Sequence, residues 1–295
     1  MSDGPLLAAR DLRIDLGGAI AIEGATFESR GASVALLGDE HGILSAIAGE
    51  AQIRSGSLHL LGMDVEDRKH LRAGSVGVAP LDPPLPPRWS ARDYLVWGSR
   101  LAGRARSDAE RNAARCFSEL GLETLAGREL ESLSPAERRA IVIAQAVITK
   151  PAVLVASAPL SGLSGPEAAY VGRTLAAASR ERKWIVSLSK LYAGSPESLL
   201  ARAADDLLLF ASGALVRQGK LERLEEGTVG YTILLRSKAT EFRAALRARG
   251  VDLAGGPQRF FLELPPGMKA EDLLSLSVDI GAPIIELVPR IMLAQ

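Results

Sequence analysis

Ser33-Val34-Ala35-Leu36-Leu37-Gly38, running on into Asp39-Glu40-His41-Gly42-Ile43-Leu44-Ser45-Ala46-Ile47-Ala48-Gly49, is the stretch that decides the fold. Four apolar residues in a row, Val34 to Leu37, stop at a glycine and give way to a second apolar segment of helical character. A strand with one face in water alternates apolar and polar side chains. An unbroken run is buried on both faces, as in a parallel sheet covered by helices. Val153-Leu154-Val155 repeats the pattern. Working outward from these two runs, strands are predicted over residues 6–15, 19–27, 33–37, 76–79, 152–155, 184–188 and 206–210. Between residues 88 and 150 the character changes: 92–104, 108–120 and 135–149 read as long helices with no strand between them. That is a helical insertion in an α/β core.

Around Gly227 the pattern changes again. Strand-like 229–235, a helix over 240–249, short strands over 251–254 and 259–264, a helix over 270–280 and a last strand over 283–288 give the order βαββαβ, the ferredoxin-like arrangement. A boundary near residues 225–228 therefore divides the chain into 1–227 and 228–295, the second part a small α+β domain.

Composition narrows the function. The chain has 295 residues, 35 Lys+Arg against 35 Asp+Glu, and 47% hydrophobic residues. That mixture excludes disorder, and zero net charge speaks against a nucleic-acid partner. The single Cys116 excludes a disulfide framework and fits a reducing compartment. No apolar run approaches the roughly 18 residues of a membrane span, and the start Met1-Ser2-Asp3-Gly4-Pro5 lacks a signal-peptide pattern. A cytoplasmic chain is expected.

The order strand, Val34-Ala35-Leu36-Leu37-Gly38, helix, helical insertion, Leu133-Ser134, helix, Val153-Leu154-Val155, Pro159-Leu160-Ser161-Gly162-Leu163 resembles the ATP-binding-cassette ATPase subunits over about residues 5–225. The ending Gly281-Ala282-Pro283-Ile284-Ile285-Glu286-Leu287-Val288-Pro289-Arg290 is similar to that of cassette subunits in the ABC-2 exporter group. The resemblance implies a RecA-like P-loop core with a β-subdomain and a helical insertion, in addition to the small C-terminal domain.

It also implies where the chemistry would sit. A working phosphate loop, GxxxxGK[ST], wraps phosphates with backbone N–H groups, while its lysine neutralises charge and its Ser/Thr binds Mg²⁺. Aligned without a gap from Gly38, the second glycine falls on Ile43, the lysine on Leu44 and the hydroxyl on Ser45. A lysine about 4 Å from a phosphate charge contributes roughly 4 kcal/mol at an effective dielectric of 20, and no Lys or Arg lies between Gly38 and Gly49. The family's metal aspartate falls on Ser157, its glutamate on Ala158 and its D-loop aspartate on Ser164. The Q-loop glutamine falls on Leu81, the switch histidine on Lys190 and the adenine-stacking aromatic on Leu16. Serine brings no formal charge to Mg²⁺ and an alanine methyl accepts no proton. These substitutions imply no cofactor on this chain, with ATP and Mg²⁺ held on a partner, and a pseudo-ATPase without enzymatic activity.

The family's signature helix start, LSGGQ, reads here Leu133-Ser134-Pro135-Ala136-Glu137. By resemblance Ser134, Pro135 and Ala136 face a partner's ATP in trans. By local chemistry Ser134 and Glu137 form a capping box with Pro135 at the first helical position. Both readings stand. Trp89, Tyr94 and Trp97 open the helical insertion, where the family receives the coupling helix of its membrane subunit; they read equally as core aromatics.

Other features are plainer. Five of the sixteen prolines lie between Pro80 and Arg88, an extended linker into the insertion. Arg68-Lys69-His70 and Arg180-Glu181-Arg182-Lys183 are short mixed clusters. His41, His59 and His70 lack metal-ligand spacing, Ser157, Ser187 and Ser189 lack a base partner, and Cys116 sits among core residues. The expected function is an inactive cassette subunit of an ABC-2-type complex, in a heterodimer with an intact ABC ATPase subunit, docked to membrane permease subunits on the inner face of the cell membrane. A scaffold or regulator built on the same fold is the alternative.

Overall fold

The computed structural model describes residues 4–38, 42–67, 75–189, 191, 195–211, 213–225, 229–251, 253–265 and 267–291. In chain order, β1 (Leu7–Leu16), β2 (Ala19–Ser29) and β3 (Ser33–Leu37) lead into α1 (Gly42–Ala48), followed by β4 (Gln52–Leu60), β5 (Met63–Asp64) and β6 (Val76–Ala79). The insertion carries α2 (Ala91–Leu101), α3 (Arg106–Leu120) and α4 (Pro135–Val147). The core resumes with β7 (Val153–Ala156), α5 (Gly165–Ser179), β8 (Lys183–Leu188), α6 (Pro196–Ala203), β9 (Asp206–Ala211), β10 (Ala214–Gly219) and α7 (Leu221–Glu225). The C-terminal part holds β11 (Val229–Leu235), α8 (Ala239–Arg247), β12 (Leu253–Gly255), β13 (Arg259–Glu263), α9 (Ala270–Ile280) and β14 (Ile284–Ile291).

The central sheet runs β10-β9-β3-β8-β7-β6 and is parallel except for β10. Its strands divide their side chains between two cores. Ala35, Leu154, Ala156, Val186, Leu207 and Leu209 face the helical layer. Val34, Leu36, Val153, Val155, Ile185 and Leu208 face the other side, which explains the unbroken apolar runs. That other side is covered by α1 and by an antiparallel sheet of order β2-β1-β4-β5.

Among the strands, β4, β5 and β10 escape the hydrophobic pattern. The run Arg54-Ser55-Gly56-Ser57 is polar in the middle of β4 because the ladder shifts register there. A side chain at Gly56, whose φ is 77°, would stand 2.3 Å from the carbonyl oxygens of Arg10 and Asp11, so only glycine lets the strands close at this bulge.

The C-terminal sheet is antiparallel, of order β12-β13-β11-β14. Phe242 and Leu246 of α8 and Leu273 and Leu276 of α9 pack with Ile233, Phe260 and Leu262 into a core of their own. Residues 226–228, where the sequence places the domain boundary, lie outside the described residues.

Candidate functional site

Parallel strands end on one edge of a sheet, and ligands of open α/β folds bind off those ends. Here β3, β7 and β8 bring Gly38, Ser157, Ala158 and Ser187 to that edge. Gly38 has φ 78°, and a Cβ on it would lie 2.1 Å from the carbonyl oxygen of Phe210; the turn needs glycine for both reasons. Ser157 donates its N–H to Ala79 O at 2.9 Å, tying the ends of β6 and β7. Ala158, at φ 39°, is 7% exposed, and its N–H donates to the buried Ser187 hydroxyl at 2.9 Å.

The aligned phosphate-loop residues sit differently from one another. Ile43 and Leu44 are 0% and 2% exposed and belong to the core between the two sheets, while Ser45 is half-buried. Asp39, Glu40 and His41 lie outside the described residues, as do Lys190, His70 and the cluster at 68–70. Leu16 is half-buried at the end of β1, paired with Ala19 across a two-glycine hairpin. Leu81 follows β6, half-buried. Ser164 precedes α5, and its hydroxyl and N–H both donate to Glu167, at 2.7 and 3.0 Å. Those bonds hold the Glu167 carboxyl below its ordinary range.

The start of α4 is a complete capping box. Ser134 Oγ accepts the Glu137 N–H at 3.2 Å, and Glu137 accepts the Ser134 N–H at 2.8 Å. Burial alone would raise the Glu137 carboxyl; the Ser134 N–H and Arg128, at 2.6 Å, outweigh it and the net shift is downward. Ser134 and Pro135 are exposed, whereas Ala136 is 4% exposed in the helical core.

One turn deeper lies a residue to which the sequence pattern gave no role. Arg139 is 8% exposed, and all three of its guanidinium nitrogens donate hydrogen bonds. Nε and Nη2 donate to Asp82 at 3.0 and 2.9 Å, and Nη1 donates to the carbonyls of Pro159 and Ser161 at 3.2 and 2.5 Å. The Arg139 hydrogen bond holds the Asp82 carboxyl below its usual range. The signal was an arginine on the same helical face as Ala136, Ala140 and Ile143, with a lone carboxylate in the proline loop.

At the mouth of the insertion Trp89 and Trp97 are 39% and 44% exposed. Their rings meet edge to face at 5.8 Å, and Tyr94 stacks on Trp97 at 6.1 Å. Together with Arg88, Arg92, Arg100 and Arg106 the tryptophans line a groove of about 670 Å³. Cys116 is a core residue: its thiol donates to Ala144 O, and burial pushes it up to about 12. Among the described residues no three His, Cys, Asp or Glu side chains converge on a metal position, and no helix is long and apolar enough to cross a membrane.

Residues 41–161 match the family model described as ABC transporter. The chain shares the fold of solved ATP-binding subunits of ABC transporters. An Fe(3+) ions import ATP-binding protein of Pectobacterium atrosepticum is 23% identical over 229 residues, covering 77% of this chain and 62% of that protein. A lipoprotein-releasing system ATP-binding protein of Oleidesulfovibrio alaskensis is 27% identical over 171 residues, 58% of this chain and 72% of its own length. Among solved structures, cbiO1 from Clostridium perfringens, part of the ABC transporter complex cbiONQ, superposes with a TM-score of 0.63 at 16% identity over 83% of this chain and 95% of that one. The chain spans only 62% and 46% of the length of two of the import relatives it matches.

These comparisons correct one expectation. A chain without enzymatic activity was inferred from missing side chains, yet the family match runs through Leu44, Ser157 and Ala158, and the similar proteins are named for ATP binding. The inference failed because an ungapped alignment stood in for a three-dimensional site. Leu44 is turned into the core, so its identity does not report which group faces a phosphate.

Proposed function

We propose that this chain is the cassette subunit of a membrane transport complex, paired head to tail with a second, intact ATPase subunit and docked to a membrane permease through the Trp89–Trp97 groove. The observation that carries the reading is that groove: two tryptophans more than a third exposed, at the mouth of the helical insertion of a cassette. Exposed tryptophans paired with arginines are the composition of binding hot spots rather than of free surface.

In the paired arrangement, the charges that hold ATP and Mg²⁺ come from the partner's phosphate loop, and this chain closes over them with the start of α4. Ser134 suits that role because its hydroxyl accepts the Glu137 N–H and keeps its own proton to donate. Pro135 removes one N–H from the same helix end, which weakens the contact. The βαββαβ C-terminal part supports the finer assignment to an ABC-2-type complex, peripheral on the inner face of the membrane.

Affinity purification of the full chain from detergent-solubilised membranes tests the reading. Recovery of a second cassette protein with a polytopic membrane protein is expected; recovery of the chain alone, or with soluble partners only, would sink it. Trp97→Ala should release the membrane protein and keep the second cassette, weakening docking roughly 30-fold for a hot-spot loss of about 2 kcal/mol.

A further inference from the structure

The Arg139 guanidinium is the only described side chain hydrogen-bonded at once to the loop after β6 and to the turn after β7. Both segments carry an L-residue in the left-handed region, Asp82 at φ 43° and Ala158 at φ 39°. Backbone of that kind persists where its surroundings hold it. The loop leads on through Pro83, Pro84, Pro86 and Pro87 to Trp89, whose carbonyl accepts the Leu130 N–H at 2.9 Å. The turn leads through Leu163 to Ser164 and α5. Arg139 itself rides on α4, one turn behind Ser134.

We infer that Arg139 is a positioning residue that fixes the turn at 157–164 and the loop at 80–90 to α4, so that displacement at the groove reaches the nucleotide edge as one rigid unit. A planar fork with four hydrogen bonds in three directions does this and an ammonium does not, because lysine lacks the geometry to span a carboxylate and two carbonyls. The inference rests on the transporter reading only in its kinetic test.

Hydrogen–deuterium exchange on the purified full chain comes first. Arg139→Lys should speed exchange at 80–90 and at 157–164 together, at least tenfold, with β3 and β8 unchanged. Exchange that rises in neither segment, in one alone, or equally in β3 and β8 overturns the assignment. Asp82→Asn keeps both carbonyl contacts and serves where the lysine variant fails to fold; it should loosen 80–90 and leave 157–164 as before, and loosening of both or neither overturns it. In the purified complex, Arg139→Lys should lower kcat for ATP about tenfold with KM within twofold, and wild-type kcat in that variant is the contrary result. A wild-type complex that turns over no ATP would instead sink the transporter reading, while the exchange data still decide what Arg139 does.

Discussion

Two corners of the fold, the β3–α1 turn and the start of α4, are built from opposite materials. At the β3–α1 corner the side chains turn inward: Ile43, Leu44, Ala46 and Ile47 all join the core between the two sheets. At the α4 corner directional polar bonds dominate, through the Ser134–Glu137 cap, the Arg128–Glu137 pair and the Arg139 fork. The first corner is specified by packing and the second by directional bonds. The two should fail differently when mutated.

The largest effect is expected where a charge is forced into the packed corner. Leu44→Lys places an ammonium at a position 2% exposed, inside the apolar core between the two sheets. An uncompensated buried charge costs about 4 kcal/mol, so chemical denaturation should show a loss of that order. A Leu44→Lys chain of wild-type stability that gains affinity for MgATP would show instead that this side chain faces the nucleotide, and would break the comparison. Next in size is Gly38→Ala. It combines a left-handed φ of 78° with a contact 2.1 Å from the Phe210 carbonyl oxygen, and about 3 kcal/mol follows from conformational strain plus overpacking. Urea midpoints at constant slope measure it; a loss under 1 kcal/mol would mean that β3 and β9 separate easily.

How much of this was legible in the sequence follows from the same contrast. Packing writes itself into hydropathy, so β3 at Ser33–Leu37 and β6 at Val76–Ala79 coincide with the apolar runs that predict them. The strand β4 did not show itself, because its middle is a polar bulge closed by Gly56. The capping box of α4 was readable, since Ser134 and Glu137 are three residues apart and their bonds are local. Long-range bonds leave no such trace. Arg139 and Asp82 are 57 residues apart, and only the folding of α4 against the central sheet brings them together. The burial of Leu44 was equally invisible, because counting from Gly38 fixes a residue's place in the chain but not the face of the helix it occupies.

At the polar corner the effects should be smaller and conditional. Ser134→Ala removes the side-chain half of the cap and should cost about 1 kcal/mol, read as a lower denaturation midpoint. If Ser134 also meets a partner's nucleotide, the assembled complex should lose more in KM for ATP than the isolated chain loses in stability. Equal and small losses in both would leave Ser134 a cap and nothing more.

The smallest effect is the most diagnostic of the fork. The Asp82 carboxyl is held below its usual range first by the Arg139 hydrogen bond, then by the charges of Arg139 and Arg138, against a desolvation that pushes the other way. A carboxylate depressed in the folded state adds stability that is fully present above its unfolded pKa, near 3.8, and is lost as pH falls through the folded value. Asp82 is 57% exposed on its side chain, so solvent screens most of that gain and about 0.5 kcal/mol is the expected size. Asp82→Asn should therefore sit below the wild type by that amount at neutral pH, and the two stability curves should converge below pH 3.8. Curves that stay parallel down to pH 2 would mean that the carboxylate's charge contributes nothing, leaving Arg139 held by the two carbonyls of the turn after β7.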